Sequence, residues 1–198
     1  GRLYFSNSVQ MILTGNENKT LISIAGRAIG EKIDPGFKAV SHFPELPESL
    51  QSRSGAVVSI YVDQELRGCI GTFSEEEPLY KNVTRMAVSA ATEDSRFTSL
   101  QVDEFSRTEL EISILTPLRR ISDPSEIVIG LHGIFIKQGT YRGTLLPQVA
   151  LNQEWSAKEF LGNCSKYKAG IGWDGWKTAE LYTYEAIVFK SDMLSLYC

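Results

Sequence analysis

Residues 56–73 constrain the fold of this chain more than any other stretch. Ala56 to Val62 is rich in β-branched residues, Asp63-Gln64-Glu65 has turn chemistry, and alternation resumes from Glu65 to Phe73. The two runs read as a β-hairpin. Strict alternation puts Leu66, Gly68, Ile70 and Thr72 on one face, and Arg67, Cys69, Gly71 and Phe73 on the other. A cation and a thiol are therefore expected side by side. Glycines inside a strand pattern signal a bulge or a close backbone approach, and Gly68 and Gly71 are both such positions.

The rest of the chain supplies helices and further antiparallel strands. Ile22, Ala25, Ile29 and Ile33 recur at helical spacing, which predicts a helix over residues 19–32, broken by Asp34-Pro35-Gly36. Pro47 suits the start of a short turn running to Gln51. After Phe73, Leu79, Val83, Met86, Ala87 and Ala90 form an apolar stripe that ends near Thr92. Two helix starts compete there: a Ser74/Glu77 capping box, or Pro78 as the first helical residue, which is preferred on steric grounds. Glu93 to Phe97 reads as loop, and residues 110–115 as a strand stopped by Pro117. Residues 133–137 and 141–146 form a second hairpin around Gln138-Gly139-Thr140. Ser156 and Glu159 frame a capping box for a helix reaching Cys164. Residues 170–175 are loop, and a last strand spans residues 180–189. Helices fall between strand pairs instead of following every strand, so the fold class is α+β, with antiparallel sheets flanked by helices.

A chain of 198 residues with 42% hydrophobic and 22% charged residues is ordinary for one globular domain or a pair of small lobes. No apolar run approaches the roughly 18 residues that suggest a membrane span. The net charge of -4 disfavours general attraction to phosphate backbones, so nucleic acid is not an expected partner, a local basic patch aside. The three cysteines, Cys69, Cys164 and Cys198, form no Cys-x-x-Cys pair. Reduced thiols in a cytoplasmic compartment are the simpler reading. Residues 1–10 read as a tag remnant and leader, residues 11–190 as the domain, and residues 191–198 as a tail.

Leu66-Arg67-Gly68-Cys69-Ile70-Gly71 resembles the hallmark of the AMMECR-type domain, also called AmmeMemoRadiSam system protein A. Asp94-Ser95-Arg96-Phe97, Glu109 to Pro117, Leu131-His132-Gly133, Leu145 to Val149, Lys168-Ala169-Gly170, Trp176 and Tyr182 to Ala186 follow in the family's order. The likeness spans residues 20–189. It departs at the loop after Lys168-Ala169-Gly170, where the family's proline-containing turn is missing, and between Cys164 and Lys168, where residues are added. The resemblance implies a two-lobed α+β structure of two interleaved subdomains. It also implies an association with Memo-type and radical SAM proteins. The three-cysteine motif that holds a radical SAM cluster is absent, so this domain would not perform the radical step itself.

Chemistry could be carried in a few places. Cys69 is a candidate nucleophile, because a cation within reach favours a thiolate, and Arg67 stands two residues away. The competing reading is a small residue filling space beneath a helix. His132 could pair with Cys69 or hold a backbone carbonyl; His42 lies in a proline-rich connector. Asp94 and Arg96 return to the hairpin's rim, as ligand-binding groups or as an ion pair tying two elements together. Glu111 and Glu185 are candidate cleft carboxylates. Gln148 could take a polar ligand group. No metal-ligand spacing, phosphate-cradling loop or nicotinamide fingerprint occurs, so no cofactor is expected. Two functions stand: an accessory substrate-binding protein, or an enzyme using Cys69 as nucleophile or acyl carrier with Arg67 and His132.

Overall fold

The computed structural model describes residues 13–38 and 45–192. The leader, His42, Cys198 and the rest of the tail beyond Asp192 lie outside these. The chain divides into two compact units, one running to Leu115 and resuming at Ile187, the other spanning Thr116–Ala186.

The first unit opens with α1 (Gly15–Ile33), four residues earlier than the apolar spacing indicates. Thr14 and Glu17 set that start by a reciprocal capping box, which satisfies N–H groups that the first turn leaves open. The short α2 (Glu48–Gln51) follows Pro47. Then come β1 (Gly55–Val62), β2 (Glu65–Thr72), α3 (Leu79–Thr92), β3 (Thr108–Leu115) and β8 (Ala186–Asp192). The sheet order is β2-β1-β3-β8. Residues 191 and 192, expected in the tail, are the end of β8. Pro78 is the residue before the helix, not its first member, and Ser74 accepts from the Glu76 N–H, so the Ser74/Glu77 box does not form. Ala56, Val58 and Ile60 are fully buried with Leu79, Val83 and Ala87 of α3 and Leu21, Ile22 and Ile29 of α1 in one core. Each such Leu, Ile or Val contributes about 1.5–3 kcal/mol by leaving water, and this burial fixes which face of the sheet is covered.

The second unit contains β4 (Arg119–Ile121), β5 (Gly133–Gln138), β6 (Tyr141–Leu145), α4 (Pro147–Asn152), α5 (Ala157–Asn163) and β7 (Glu180–Tyr184). Its sheet order is β4-β7-β5-β6. The predicted hairpin is present, with Gly139 at φ +60° in its turn. Ile134, Ile136, Leu181 and Ile121 pack with Phe160 and Leu161 in a second core. The expected single last strand is two, β7 and β8, and they belong to different sheets. Both sheets are antiparallel and open, and the architecture is α+β. No helix among the described residues is long and apolar enough to cross a membrane.

Candidate functional site

The local geometry of β2 begins at its turn. Asp63 and Gln64 both adopt positive φ, at 50° and 69°, so a two-residue turn joins Val62 to its partner Glu65. This is the backbone twist that tight hairpins favour. From Glu65 the register runs evenly to Tyr61↔Leu66, then resumes at Ile60↔Gly68. Arg67 is the extra residue of a β-bulge.

That bulge corrects the expected pairing of Arg67 with Cys69. One extra residue changes the parity of everything beyond it. Leu66 and Cys69 stand opposite Tyr61 and Ser59 and share a face, while Gly68 stands opposite the buried Ile60. A Cβ on Gly68 would lie 2.0 Å from the Ala90 carbonyl oxygen, so the glycine is what lets α3 press against the strand. Arg67 turns instead to Glu104. Its Nε and Nη2 donate to the two carboxylate oxygens at 2.8 Å each, and Nη1 donates to the Thr98 carbonyl at 2.8 Å. The forked, largely buried pair keeps both charges: Arg67 holds the Glu104 carboxyl below its usual range, and Glu104 raises Arg67.

The cation beside Cys69 is Arg96. Asp94 is buried and accepts four hydrogen bonds: from the Cys69 N–H at 2.9 Å, the Arg96 N–H at 3.2 Å, Arg96 Nε at 2.9 Å and Arg96 Nη2 at 2.7 Å. Arg96, chiefly, and the Cys69 and Arg96 N–H groups hold its carboxyl down at about 2 against the cost of burial. Arg96 Nη2 also donates to the Cys69 carbonyl at 3.1 Å. Asp94 and Arg96 thus grip both backbone polar groups of Cys69, tying the loop after α3 to β2. Arg96 is raised mainly by Asp94, with smaller contributions from the Cys69 sulfur.

Three further side chains, Ser59, Glu111 and Tyr61, gather around the thiol. Ser59 Oγ donates to Cys69 Sγ at 3.3 Å, and Ser59 is itself opposite Glu111 on β3. Cys69, Ser59 and Glu111 therefore form a row across three strands. Tyr61, two residues along β1, is raised by burial first and then by Glu111 and the Cys69 sulfur. Lys190 of β8 lies 4.5 Å from the Tyr61 ring centroid and pairs with Glu109 at 2.8 Å. Once the hairpin is paired with β3, alternation along Ser59-Ile60-Tyr61 could have found this row. The thiol itself is partly exposed, whereas Cys164 is buried and its thiol is pushed up to about 12 by desolvation.

The other two candidates belong to the second unit. His132 is buried; its Nδ1 accepts from the Val128 N–H at 3.1 Å, which leaves the proton of the neutral ring on Nε2. Burial, above the opposing field of Glu185, pushes its pKa down. These are the bonds of a histidine that closes its own turn. Glu185 and Thr116 exchange bonds where the chain enters and leaves this unit: the Thr116 N–H donates to the Glu185 carbonyl at 3.0 Å, and the Glu185 N–H to Thr116 Oγ1 at 2.8 Å. Gln148 is on the first turn of α4, with its buried Oε1 meeting no donor. Among the described residues no three His, Cys, Asp or Glu side chains converge so as to hold a metal ion.

The chain as a whole is similar to known proteins. The AMMECR1 family model matches residues 22–189. A Nanoarchaeum equitans protein is 40% identical over 158 residues, covering 75% of this chain and 87% of its own. A Methanopyrus kandleri protein is 36% identical over 191 residues, covering 91% of each. The crystal structure of an uncharacterized protein from Pyrococcus horikoshii superposes with a TM-score of 0.82 at 29% identity, over 91% of this chain and 94% of that one.

Proposed function

The chain belongs to the AMMECR1 family, and on that premise we propose that it is a cytoplasmic accessory protein that binds a substrate for Memo-type and radical SAM proteins. The observation that carries this reading is how the motif charges are used. Arg67 is engaged by Glu104, Arg96 by Asp94, and Asp94 by the Cys69 N–H. These groups fix a surface in place. A thiol enzyme would instead aim a base at the sulfur and donors at a developing oxyanion. The side-chain hydrogen bond that Cys69 Sγ does receive comes from a hydroxyl, that of Ser59.

One observation favours the enzyme as a second reading: Cys69 is partly exposed, with the Arg96 guanidinium held beside it on its carbonyl at 3.1 Å. The two readings separate in one experiment. Tag-free protein is purified natively from cells that also express a Memo-type and a radical SAM protein, and the retained species are identified by intact-mass measurement. The accessory reading expects a non-covalent complex with one of these proteins or a retained small molecule, unchanged in the Cys69→Ala variant. A covalent adduct on Cys69 that turns over would contradict it.

A further inference from the structure

Residues 127–132 join a short helical turn, Pro124–Glu126, to β5, and their last side chain closes them. Ile127 is buried in the second core and Ile129 packs against it, whereas Val128 and Leu131 face water. The backbone folds around Val128. The Leu131 and His132 N–H groups both donate to the Val128 carbonyl, at 3.2 and 2.9 Å, and Gly130 makes the turn at φ +84°. The Val128 N–H donates to His132 Nδ1 at 3.1 Å. His132 therefore holds both polar groups of Val128, the carbonyl through its own N–H and the N–H through its ring.

That closure depends on one protonation state. Nδ1 accepts only while the ring is neutral. A second proton goes to Nδ1 and sets a ring N–H against a backbone N–H. The ring is only 7% exposed, so little water reaches the conflict. Burial acts most strongly against the charged ring. Glu185, just beyond β7, favours it, Arg119 on β4 opposes it, and the Glu126 backbone favours it. Arg119 is also paired with the Glu126 carboxylate at 3.4 Å.

We propose that residues 127–132 form an acid-released latch: a proton taken from solvent by His132 Nδ1 expels the Val128 N–H, and the segment leaves the second core while the sheet stays folded. The release is local because the sheet does not depend on the segment. The ladders of β5 with β7 and β6 begin at Gly133 and Ile134, after the latch, and Ile134 and Ile136 keep their burial with Phe160 and Leu161. Segments with few backbone bonds of their own open without the strands they cover. Release uncovers Ile127 and Ile129 beside Val128 and Leu131, so the consequence of acid is an apolar patch that is closed at neutral pH. The inference is independent of the accessory reading, which rests on the first unit.

The sign follows from the ring. Released, it titrates near 6.5; closed, it titrates lower. Between those two values the released state holds the extra proton, and its population relative to the closed state rises about tenfold per pH unit.

The test is hydrogen–deuterium exchange of the full chain from pH 8 to pH 5, read by mass spectrometry. Peptides covering residues 127–132 are compared with peptides of β5 and β7 from the same sample, which cancels the intrinsic pH dependence of exchange. Protection of the segment relative to the strands should hold from pH 8 to about 6.5, then fall about tenfold per pH unit until the closed ring itself titrates. His132→Asn and His132→Gln, which cannot titrate, should each make that ratio flat in pH. The wild-type ratio keeps the test decisive if a variant fails to fold. A wild-type ratio constant from pH 8 to pH 5 overturns the proposal, as does an equal fall in either variant. Loss of protection in segment and strands together also overturns it, because the second unit would then open as a whole.

Discussion

Replacing Asp94 by Asn tests whether the Asp94–Arg96 clamp holds the hairpin to the loop after α3. The Asp94 side chain is only 4% exposed, so its charge interactions are little screened. An ordinary aspartate value of 3.8 against a folded value of about 2 corresponds to about 2 kcal/mol of stability at neutral pH. The amide adds a conflict, because one of its two donor hydrogens must face the Arg96 N–H groups where the carboxylate now accepts. Arg96, about half exposed, recovers water and limits the loss. The expected cost of D94N at pH 7 is about 2–3 kcal/mol, below the upper range for breaking a fully buried pair. The sign of the pH dependence follows from the lowered folded-state value. The contribution is complete above the unfolded value of 3.8 and is lost as pH falls towards 2. At pH 3 roughly half of the difference between wild type and variant should remain. Urea titrations at the two pH values measure this, with the midpoint moving and the slope constant. A D94N cost under about 0.5 kcal/mol at pH 7, or a difference that grows on acidification, would refute the clamp.

Two further outcomes follow from single contacts. Gly68→Ala puts a Cβ against the Ala90 carbonyl, backbone against backbone, and should cost about 3 kcal/mol or more; an unchanged thermal midpoint would mean that α3 does not press on the strand. His132 should titrate by NMR with a midpoint below 6.5, and since the unfolded ring takes its proton first, stability should fall as pH drops through 6.5. A midpoint at or above that value would contradict the buried, backbone-bonded ring.

The elements of the fold were legible where pattern and punctuation agreed. The β1–β2 hairpin, α3 and the β5–β6 hairpin fall within a few residues of their expected positions. α1 was expected to begin at residue 19 because apolar spacing marks the packed face, whereas its first turn is set by the polar Thr14/Glu17 box. β4 is three residues long, and α4 six, too short for any period to register. The break between β7 and β8 escaped because both halves are β-patterned and only their partners differ. The site was half legible. Cys69, Asp94 and Arg96 do come together, but pairing Arg67 with the thiol assumed unbroken alternation. The bulge opposite Ile60 and Tyr61 removes that assumption, and Gly68 was its only local signal. Glu104, which takes Arg67, sits 37 residues away in a short turn that no motif marks.

The central claim is that Cys69 is held through its backbone by Asp94 and Arg96, and that Arg67 belongs to Glu104. Timed alkylation of the native protein, with peptide mass spectrometry separating Cys69 from Cys164, tests it most directly. Cys69 should label without denaturant while Cys164 waits for unfolding. Arg67→Gln should leave the Cys69 rate as it is, and Arg96→Gln, which removes the donor to the Cys69 carbonyl, should change it. Protection of Cys69 in the native protein, or slowing by Arg67→Gln with Arg96→Gln unchanged, would contradict the account.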